Sequence, residues 1–395
     1  MTKFAARMDG VSGSVIREIL KMMGDPEVIS FGGGNPAKES FPIDTVEQIA
    51  HEVLEKNGAG ILQYGTTEGY APLRASYLEH VARPKGVVAG EENVLTLTGS
   101  MQGVDLVTKV FVDPGDAVLV ESPTFLGSLQ AFNTYQAHCV PVEMDAEGVD
   151  LNDLEAKVRA HHPKLFYVIP TFQNPTGKTL GEERRRAVAE MASKYDFVVV
   201  EDDPYCDLRY SGTPVPPIKT FDRTGNVVLL NSFSKILSPG LRVGTALAAP
   251  GIIRKMTIAK QSSDTHTSNL TQAIADSFLR RGLLPAHLAG IIPMYTERLN
   301  ALLAGLDAFF PENFTHTVPE GGLFVWGEVG APVDMQRLLR RATEECKVAF
   351  IPGQHFYVDT ERMGLNTMRL NFSSATPERI TAGIERLGKL LKESI

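Results

Sequence analysis

The sequence predicts an α/β fold in which a mostly parallel sheet is covered by helices on both faces. Between residues 93 and 200, short aliphatic runs alternate with helix-length segments of mixed polarity. Another aliphatic run, Val227 to Leu230, continues the series, and a second apolar run begins at Leu241. Residues 314–395 instead mix a few strands with two helical patterns, which indicates a smaller α+β unit.

The individual elements follow from periodicity and from turn residues. Seven strands are expected in the sheet, at 94–97, 117–121, 139–142, 165–169, 197–200, 227–230 and from 241. Between them we expect helices at 104–112, 125–135, 151–160 and 181–195, and after residue 249 a helical stretch that is broken or bent at Pro293. We predict an N-terminal arm (1–45), a large domain (46–295) and a small C-terminal α+β domain (296–395).

Composition narrows the class of protein. The chain has 395 residues, of which 43% are hydrophobic and 22% charged, as expected for a globular enzyme of one or two domains. A net charge of -8 without a basic run argues against nucleic-acid or anionic membrane partners. No apolar run is long enough to span a bilayer, and the N-terminus lacks the apolar core of a secretion signal. Three distant cysteines suggest no disulfide framework, and no metal-ligand spacing occurs, so we expect a cytoplasmic protein without a metal.

One lysine stands out because it follows a buried strand. The segment from Val227 runs through Ser232 and Ser234 to Lys235, and Arg242 lies seven residues further on. Lys235 can be an ordinary loop lysine, and the tetrapeptide S-F-S-K alone does not decide the matter. Alternatively, partial burial favours the neutral amine, which attacks carbonyls to form a Schiff base. The serine hydroxyls and Arg242 would then hold an anion such as a phosphate beside it.

Other polar residues follow predicted strands, where ligands of parallel sheets bind. Ser100 begins a helix after the strand at 94–97, and Asn174 lies in the loop after the strand at 165–169. Asp202 and Tyr205 follow the strand at 197–200. These positions predict a ligand site at one edge of the sheet.

Three further features have two interpretations each. Gly33 and Gly34 belong to a G-G-G-N-P segment that is either a flexible turn or a close backbone approach to a ligand. Tyr64 lies in a glycine-flanked loop, where a tyrosine more often packs than functions. Arg369 alternates with apolar residues on a strand, so it is either a paired structural residue or an anion binder.

Taken together, the ordered motifs resemble those of pyridoxal-phosphate-dependent aminotransferases of fold type I, class I/II. The motifs are G-S-x-Q, N-P-T-G, E-D-D-P-Y, S-F-S-K-x-x-S-P-G-L-R and R-x-N-F, and the resemblance covers essentially the whole chain. It is nearest to the 2-aminoadipate and kynurenine aminotransferase branch. It implies the fold type I architecture, a three-layer αβα large domain with a seven-stranded sheet plus a small domain, and pyridoxal 5′-phosphate as cofactor.

The resemblance also implies roles for individual residues. Lys235 would hold the cofactor covalently and move the proton from the substrate Cα, while Asp202 would pair with the pyridine nitrogen. Tyr205 and Asn174 would contact the ring's 3-oxygen, Asn174 would also contact the substrate, and Phe125 would stack on the ring. The phosphate would be held by the remaining members of the set, which are Ser100, the backbone N–H of Met101, Ser232, Ser234 and Arg242.

Substrate and assembly follow from the same resemblance. Arg369 would grip the substrate α-carboxylate through a two-point fork, with the backbone of Gly33 and Gly34 close by. Tyr64 would reach the cofactor phosphate of the partner subunit, which implies a homodimer with shared active sites. Arg17, on a predicted arm helix, would read an acidic side chain and swing aside for aromatic ones.

The expected reaction is transfer of the α-amino group of an L-amino acid to a 2-oxo acid such as 2-oxoglutarate, in a ping-pong cycle. Two alternatives remain. The same fold and cofactor also support β-elimination and decarboxylation, which the cofactor-holding residues do not distinguish. A related group of regulators binds the cofactor without turnover. Such regulators carry an additional basic DNA-binding module, whereas only about 30 residues precede Gly32 here, as the sequence numbering shows.

Overall fold

A computed structural model describes residues 4–8 and 27–395. Its central feature is a sheet with the strand order β2-β9-β8-β7-β6-β3-β4-β5. The bounds are β2 Val94–Leu97, β3 Ala117–Ser122, β4 His138–Asp145, β5 Gly148–Val149, β6 Leu165–Val168, β7 Val198–Asp203, β8 Val227–Ser232 and β9 Gly244–Leu247. The seven predicted strands are all present, and the two-residue β5 extends the sheet to eight.

Strand direction explains where the site lies. Strands β4, β3, β6, β7 and β8 run parallel to one another, and β9 is antiparallel to both β8 and β2. It follows that β2 points the same way as β8. The ends of β2, β3, β6, β7 and β8 therefore share one edge of the sheet, where ligands of such folds bind.

Helices cover both faces of this sheet, and strand residues alternate between them. Leu119, Phe166 and Val199 are buried on the face covered by the helices Leu151–His161 and Glu182–Tyr195. Their neighbours in sequence, Val118, Tyr167 and Val200 among them, face the opposite layer. That layer contains the helices Ser100–Phe111, Leu126–Thr134 and Pro250–Gln261. The predicted three-layer arrangement is confirmed.

A third packed cluster joins the β2 end of the sheet to further helices. Val94, Leu229 and Leu247 pack there with residues of Ile43–Ile61, Ala71–Tyr77 and Asn269–Arg280. A π-helical turn, Leu78–Ala82, continues directly from the second of these helices.

The C-terminal part is an α+β unit with a four-stranded antiparallel sheet, in the order β10-β11-β14-β13. Its strands are β10 Phe314–His316, β11 Phe324–Val329, β13 Ile351–Pro352 and β14 Thr367–Asn371, and its helices are Met335–Cys346 and Pro377–Lys392. Near the N-terminus, β1 (Ile29–Ser30) pairs in parallel with β12 (Val348–Ala349), which brings the glycine segment beside this unit.

The long helix Leu283–Phe309 packs against Pro377–Lys392 and leads into the C-terminal unit. Of the predicted break or bend at Pro293, the break is absent, because the helix Leu283–Phe309 runs through the proline. The predicted domain boundary at residues 295 and 296 falls inside this helix, and the three-part division remains a prediction. Among the helices of the described residues, none is long and apolar enough to cross a bilayer.

Candidate active site

Ten of the residues singled out in the sequence line a single cavity of about 150 Å³ at the predicted edge of the sheet. Ile169 and Pro204 complete the lining. The predicted members are Ser100, Met101, Phe125, Asn174, Asp202, Tyr205, Ser232, Ser234, Lys235 and Arg242. A larger cleft of about 1130 Å³, which includes Lys178, Trp326 and Tyr357, contains none of the predicted site residues.

Lys235 reaches into the cavity from the turn after β8. Its Nζ donates a hydrogen bond to the carbonyl oxygen of Gly34 at 2.6 Å. Burial, together with the positive charges of Arg369 and Arg242, lowers the pKa of Lys235 to about 8. No carboxylate in the described part of the chain forms an ion pair with this amine. About a tenth of Lys235 is therefore the neutral, nucleophilic amine at pH 7, against well under ~0.1% for a lysine of ordinary pKa.

Asp202 lies at the end of β7 and is almost fully buried, with 3% of its surface exposed. Its Oδ2 accepts a hydrogen bond from the hydroxyl of Tyr167 at 2.7 Å, while its Oδ1 is buried without a partner. Burial raises the pKa of Asp202 to about 7, and the Tyr167 bond acts in the opposite direction. A carboxylate oxygen that borders a cavity and has no donor among the described residues is a strong acceptor for a ligand N–H.

Tyr205, Asn174 and Arg369 form a connected group. The Asn174 amide donates to the Tyr205 hydroxyl at 3.5 Å, and its oxygen accepts from Nη1 of Arg369 at 2.9 Å. Burial raises the pKa of Tyr205 well above its usual value, so its hydroxyl stays protonated. Asn174 thus joins the cavity to a buried guanidinium on β14.

Arg369 is 1% exposed, and the structure gives it no acidic partner in the described residues. Its Nη2 donates to the carbonyl oxygens of Gly32 and Gly33 at 2.6 and 3.2 Å, and its Nε is buried without an acceptor. The guanidinium carbon lies 4.3 and 4.9 Å from the ring centres of Phe324 and Phe356. Burial lowers the pKa of Arg369 to about 10. An unpaired buried arginine of this kind is suited to an anionic ligand.

Predicted phosphate-binding residues surround the start of the helix Ser100–Phe111. The helix begins immediately after Gly99, whose φ of +83° is readily adopted only by glycine. Arg242 donates to the carbonyl of Thr98 at 3.0 Å, and Ser232 accepts from the Ser234 N–H at 3.2 Å. Free N–H groups at a helix start, two serine hydroxyls and an arginine form a suitable anion site.

The remaining predicted residues lie around this cavity or outside the described part. Gly33 and Gly34 place their carbonyl oxygens against Arg369 and Lys235. Tyr64 is not in the cavity of its own chain. It is 81% exposed, and its ring meets the ring of His266 edge-on at a centroid distance of 5.8 Å. Arg17 lies outside the described residues.

Sequence reasoning missed Tyr167. It is the only polar residue of the buried strand β6, and that was the available signal. It also missed Tyr77, whose hydroxyl donates to Asn231 at 2.6 Å beneath the end of β8. Both partnerships join residues far apart in sequence, which a local pattern does not reveal.

These residues fit pyridoxal phosphate chemically. The unpartnered Oδ1 of Asp202 suits a protonated pyridine nitrogen, and the amine of Lys235 suits an aldehyde. The helix start at Ser100, with Arg242, suits a phosphate. Phe125 lines the cavity between them. Each part of the cofactor thus has a complementary group in the set.

Comparison with known proteins gives the same result. The family model described as aminotransferase class I and II matches residues 26–387. Aromatic-amino-acid aminotransferase 1 of Thermococcus litoralis is 43% identical over 99% of this chain and 94% of its own length.

Two solved structures have nearly the same fold. A Pyrococcus horikoshii kynurenine aminotransferase, in complex with PMP, is 41% identical with a TM-score of 0.94, over 99% of this chain and 97% of that one. LysN, an α-aminoadipate aminotransferase of Thermus thermophilus complexed with N-(5'-phosphopyridoxyl)-L-leucine, is 39% identical with a TM-score of 0.90, over the same shares. This chain therefore belongs to the class I and II aminotransferases and is a pyridoxal-phosphate-dependent aminotransferase of fold type I.

Proposed function

We propose that this enzyme moves the α-amino group of an acidic or aromatic L-amino acid to a 2-oxo acid, with 2-oxoglutarate as acceptor. The names of its relatives support these donor classes, because they refer to aromatic amino acids, kynurenine and 2-aminoadipate. The observation that carries the proposal is the buried guanidinium of Arg369, which has no acidic partner among the described residues. Asn174 links this guanidinium to the cavity that contains Lys235.

Arg369 orients the substrate. Its unpartnered Nε and one η nitrogen present two N–H groups to a carboxylate, and the flanking Phe324 and Phe356 rings exclude water from the pair. All amino-acid substrates share the α-carboxylate, so this contact fixes the Cα for every donor. Gly32, Gly33 and Asn174 hold the guanidinium in place.

Lys235 is the proton carrier. Pyridoxal phosphate, when bound, supplies the carbonyl carbon that receives the amino group and an electron-withdrawing ring. Lys235 would hold the cofactor and, as the free amine, would take the proton from the substrate Cα. A pKa of about 8 suits this task, because a base works best when its pKa is close to the working pH.

Asp202 and Tyr167 maintain the electronic character of the ring. With its Oδ2 held by Tyr167, Asp202 offers Oδ1 to the pyridine nitrogen and favours the protonated ring. With pyridoxal phosphate bound, Tyr205 and Asn174 would donate towards the ring's 3-oxygen and Phe125 would stack on the ring, and all three line the cavity. Ser100, the Met101 N–H, Ser232, Ser234 and Arg242 hold the phosphate.

We further propose that the enzyme works as a cytoplasmic homodimer with shared sites. Tyr64, Leu62 and Ile43 are 81%, 73% and 66% exposed in the single chain, although such residues usually avoid water. Tyr64 does not line the cavity of its own chain, which supports a role in the partner's site. Arg17 remains the proposed reader of acidic side chains.

A panel of L-amino acids assayed against 2-oxoglutarate tests the proposed specificity. We expect kcat/KM for glutamate, 2-aminoadipate and aromatic amino acids to exceed that for small aliphatic ones by about tenfold or more, a difference of about 1.4 kcal/mol. Equal values across the panel would contradict the proposed donor classes. Arg17→Ala should lower kcat/KM for acidic donors selectively, and an equal loss for aromatic donors would remove its proposed role.

A further inference from the structure

Behind the phosphate-binding residues lies a buried lysine that the mechanism does not use. Lys260, on the helix Pro250–Gln261, is 0% exposed. Its Nζ lies 2.8 Å from both carboxylate oxygens of Asp264, 2.8 Å from Oε1 of Gln102 and 3.1 Å from Oγ1 of Thr267. Burying an ammonium is costly even when it is paired, so such a group needs a structural reason.

The reason lies in what Asp264 and Gln102 hold in turn. Asp264 accepts hydrogen bonds from the Gln102 amide at 2.7 Å and from the Thr98 hydroxyl at 2.8 Å. Gln102 in turn accepts the Thr98 backbone N–H at 2.8 Å. Thr98, which precedes Gly99, and Gln102, in the first turn of the helix that follows it, are therefore both tied to the ion pair. This arrangement also accounts for the glutamine of the G-S-x-Q motif, for which the catalytic roles have no use.

The turn so fixed is the one that starts the anion site. The carbonyl oxygen of Thr98 accepts from Arg242 at 3.0 Å, and Ser100 is the first residue of the helix whose N–H groups face the cavity. A shift of Thr98 would move both the helix start and the arginine. The far side of the network is anchored as well, because His266, next to Thr267, accepts the N–H of Gly65 at 3.2 Å.

We propose that Lys260 is a positioning residue which, through Asp264 and Gln102, holds the Thr98–Gly99–Ser100 turn in the geometry that binds the cofactor's 5′-phosphate. The inference rests on the proposed cofactor roles of Ser100 and Arg242. Lys260 does not touch the cofactor. Its effect is on the phosphate contribution to affinity and not on the chemistry at Lys235.

Equilibrium dialysis of the apoprotein with pyridoxal phosphate and, separately, with pyridoxal tests this proposal, because pyridoxal lacks the phosphate but still reacts with Lys235. Lys260→Met should raise the Kd for pyridoxal phosphate by about 10- to 100-fold, as expected for losing a charge-assisted hydrogen bond, and the Kd for pyridoxal by less than about threefold. Gln102→Leu, which leaves the Lys260–Asp264 pair intact, should reproduce the selective loss.

Lys219→Met is the matched control. Lys219 also forms a partly buried ion pair, with Asp222 at 2.7 Å, and donates to the Val227 carbonyl at 2.8 Å. It lies at the opposite end of β8 from the cavity. This variant should leave both Kd values unchanged.

Three other outcomes would overturn the proposal. If Lys260→Met and Gln102→Leu raise the Kd for pyridoxal phosphate and the Kd for pyridoxal equally, these substitutions cause a general loss of stability. Unchanged affinities would show that the turn holds without the network, and a selective loss in Lys219→Met would show that the effect is not local. Amino transfer by the wild-type enzyme is measured in a separate assay. If that assay contradicts the proposed donor classes, the ratio of the two Kd values still tests the role of Lys260.

Discussion

Arg369→Lys tests the proposed carboxylate contact most sharply. Lysine keeps the positive charge but cannot make a two-point fork with a carboxylate. The variant loses Nε, which is the donor without a protein partner, and the contacts from the η nitrogens to Asn174 and Gly32. Charge-assisted hydrogen bonds contribute about 1.5–3 kcal/mol each, so losing two towards the substrate costs about 3–6 kcal/mol. We expect kcat/KM to fall by about 10²- to 10⁴-fold, mainly through KM.

The assay is steady-state amino transfer from glutamate and from an aromatic amino acid to 2-oxoglutarate. Both donors should lose the same factor, because both present the α-carboxylate to Arg369. Arg185→Lys is the matched control. Arg185 is also 1% exposed, but its nitrogens are all engaged by protein oxygens, among them those of Leu180, Pro170 and Thr171. The Arg185→Lys substitution should lower thermal stability and leave KM unchanged.

Two results would refute the reasoning. A folded Arg369→Lys enzyme with KM within about threefold of the wild type would show that the arginine does not bind substrate, because that change is below 1 kcal/mol. A loss confined to acidic donors would show that Arg369 reads the side chain and not the α-carboxylate.

Three further predictions concern the same site. Tyr167→Phe removes a hydrogen bond to Asp202 and should raise the pKa of that carboxyl from about 7 by about 1–2 units. The pH midpoint of cofactor affinity, measured by equilibrium binding, should rise by the same amount. An unchanged midpoint would exclude this role of Tyr167. The rate at which the apoprotein binds pyridoxal phosphate should rise about tenfold per pH unit and become constant above about pH 8, because only the neutral amine of Lys235 reacts. A rate that becomes constant only near pH ~10.5 would indicate a lysine of ordinary pKa. Mixing inactive Lys235→Ala and Tyr64→Ala chains should restore about a quarter of wild-type activity, because half of the re-formed dimers are mixed and each mixed dimer has one intact site. If re-formed dimers recover no activity, the sites are not shared.

Much of the site was predictable because it lies at strand ends. Residues such as Ser100, Asp202 and Lys235 each follow an aliphatic run, and parallel strands bring such ends to one edge. The roles of these residues came from the resemblance, which rests on several motifs in a fixed order along the chain. Ten of the predicted site residues line the cavity.

Other features depend on contacts that no local pattern encodes. Strand β9 is fully buried like its neighbours β2 and β8, so its antiparallel direction could not be read from the pattern of apolar residues. The pairing of Tyr167 with Asp202 spans 35 residues, and that of Lys260 with Gln102 spans 158. A buried lysine at position 260 was invisible because the sequence shows an ordinary amphipathic helix there. The helix Leu283–Phe309 does not break at Pro293, because its packing against the C-terminal helix outweighs the local effect of the proline.

The most informative measurement asks whether this site transfers the amino group of its donor or decarboxylates the donor. It is a half-reaction with excess glutamate and no 2-oxo acid, in which products are counted per active site. We expect one equivalent of 2-oxoglutarate, no ammonia and no carbon dioxide, followed by renewed product formation only when a second 2-oxo acid is added. Continuous release of ammonia or carbon dioxide from glutamate alone would contradict it.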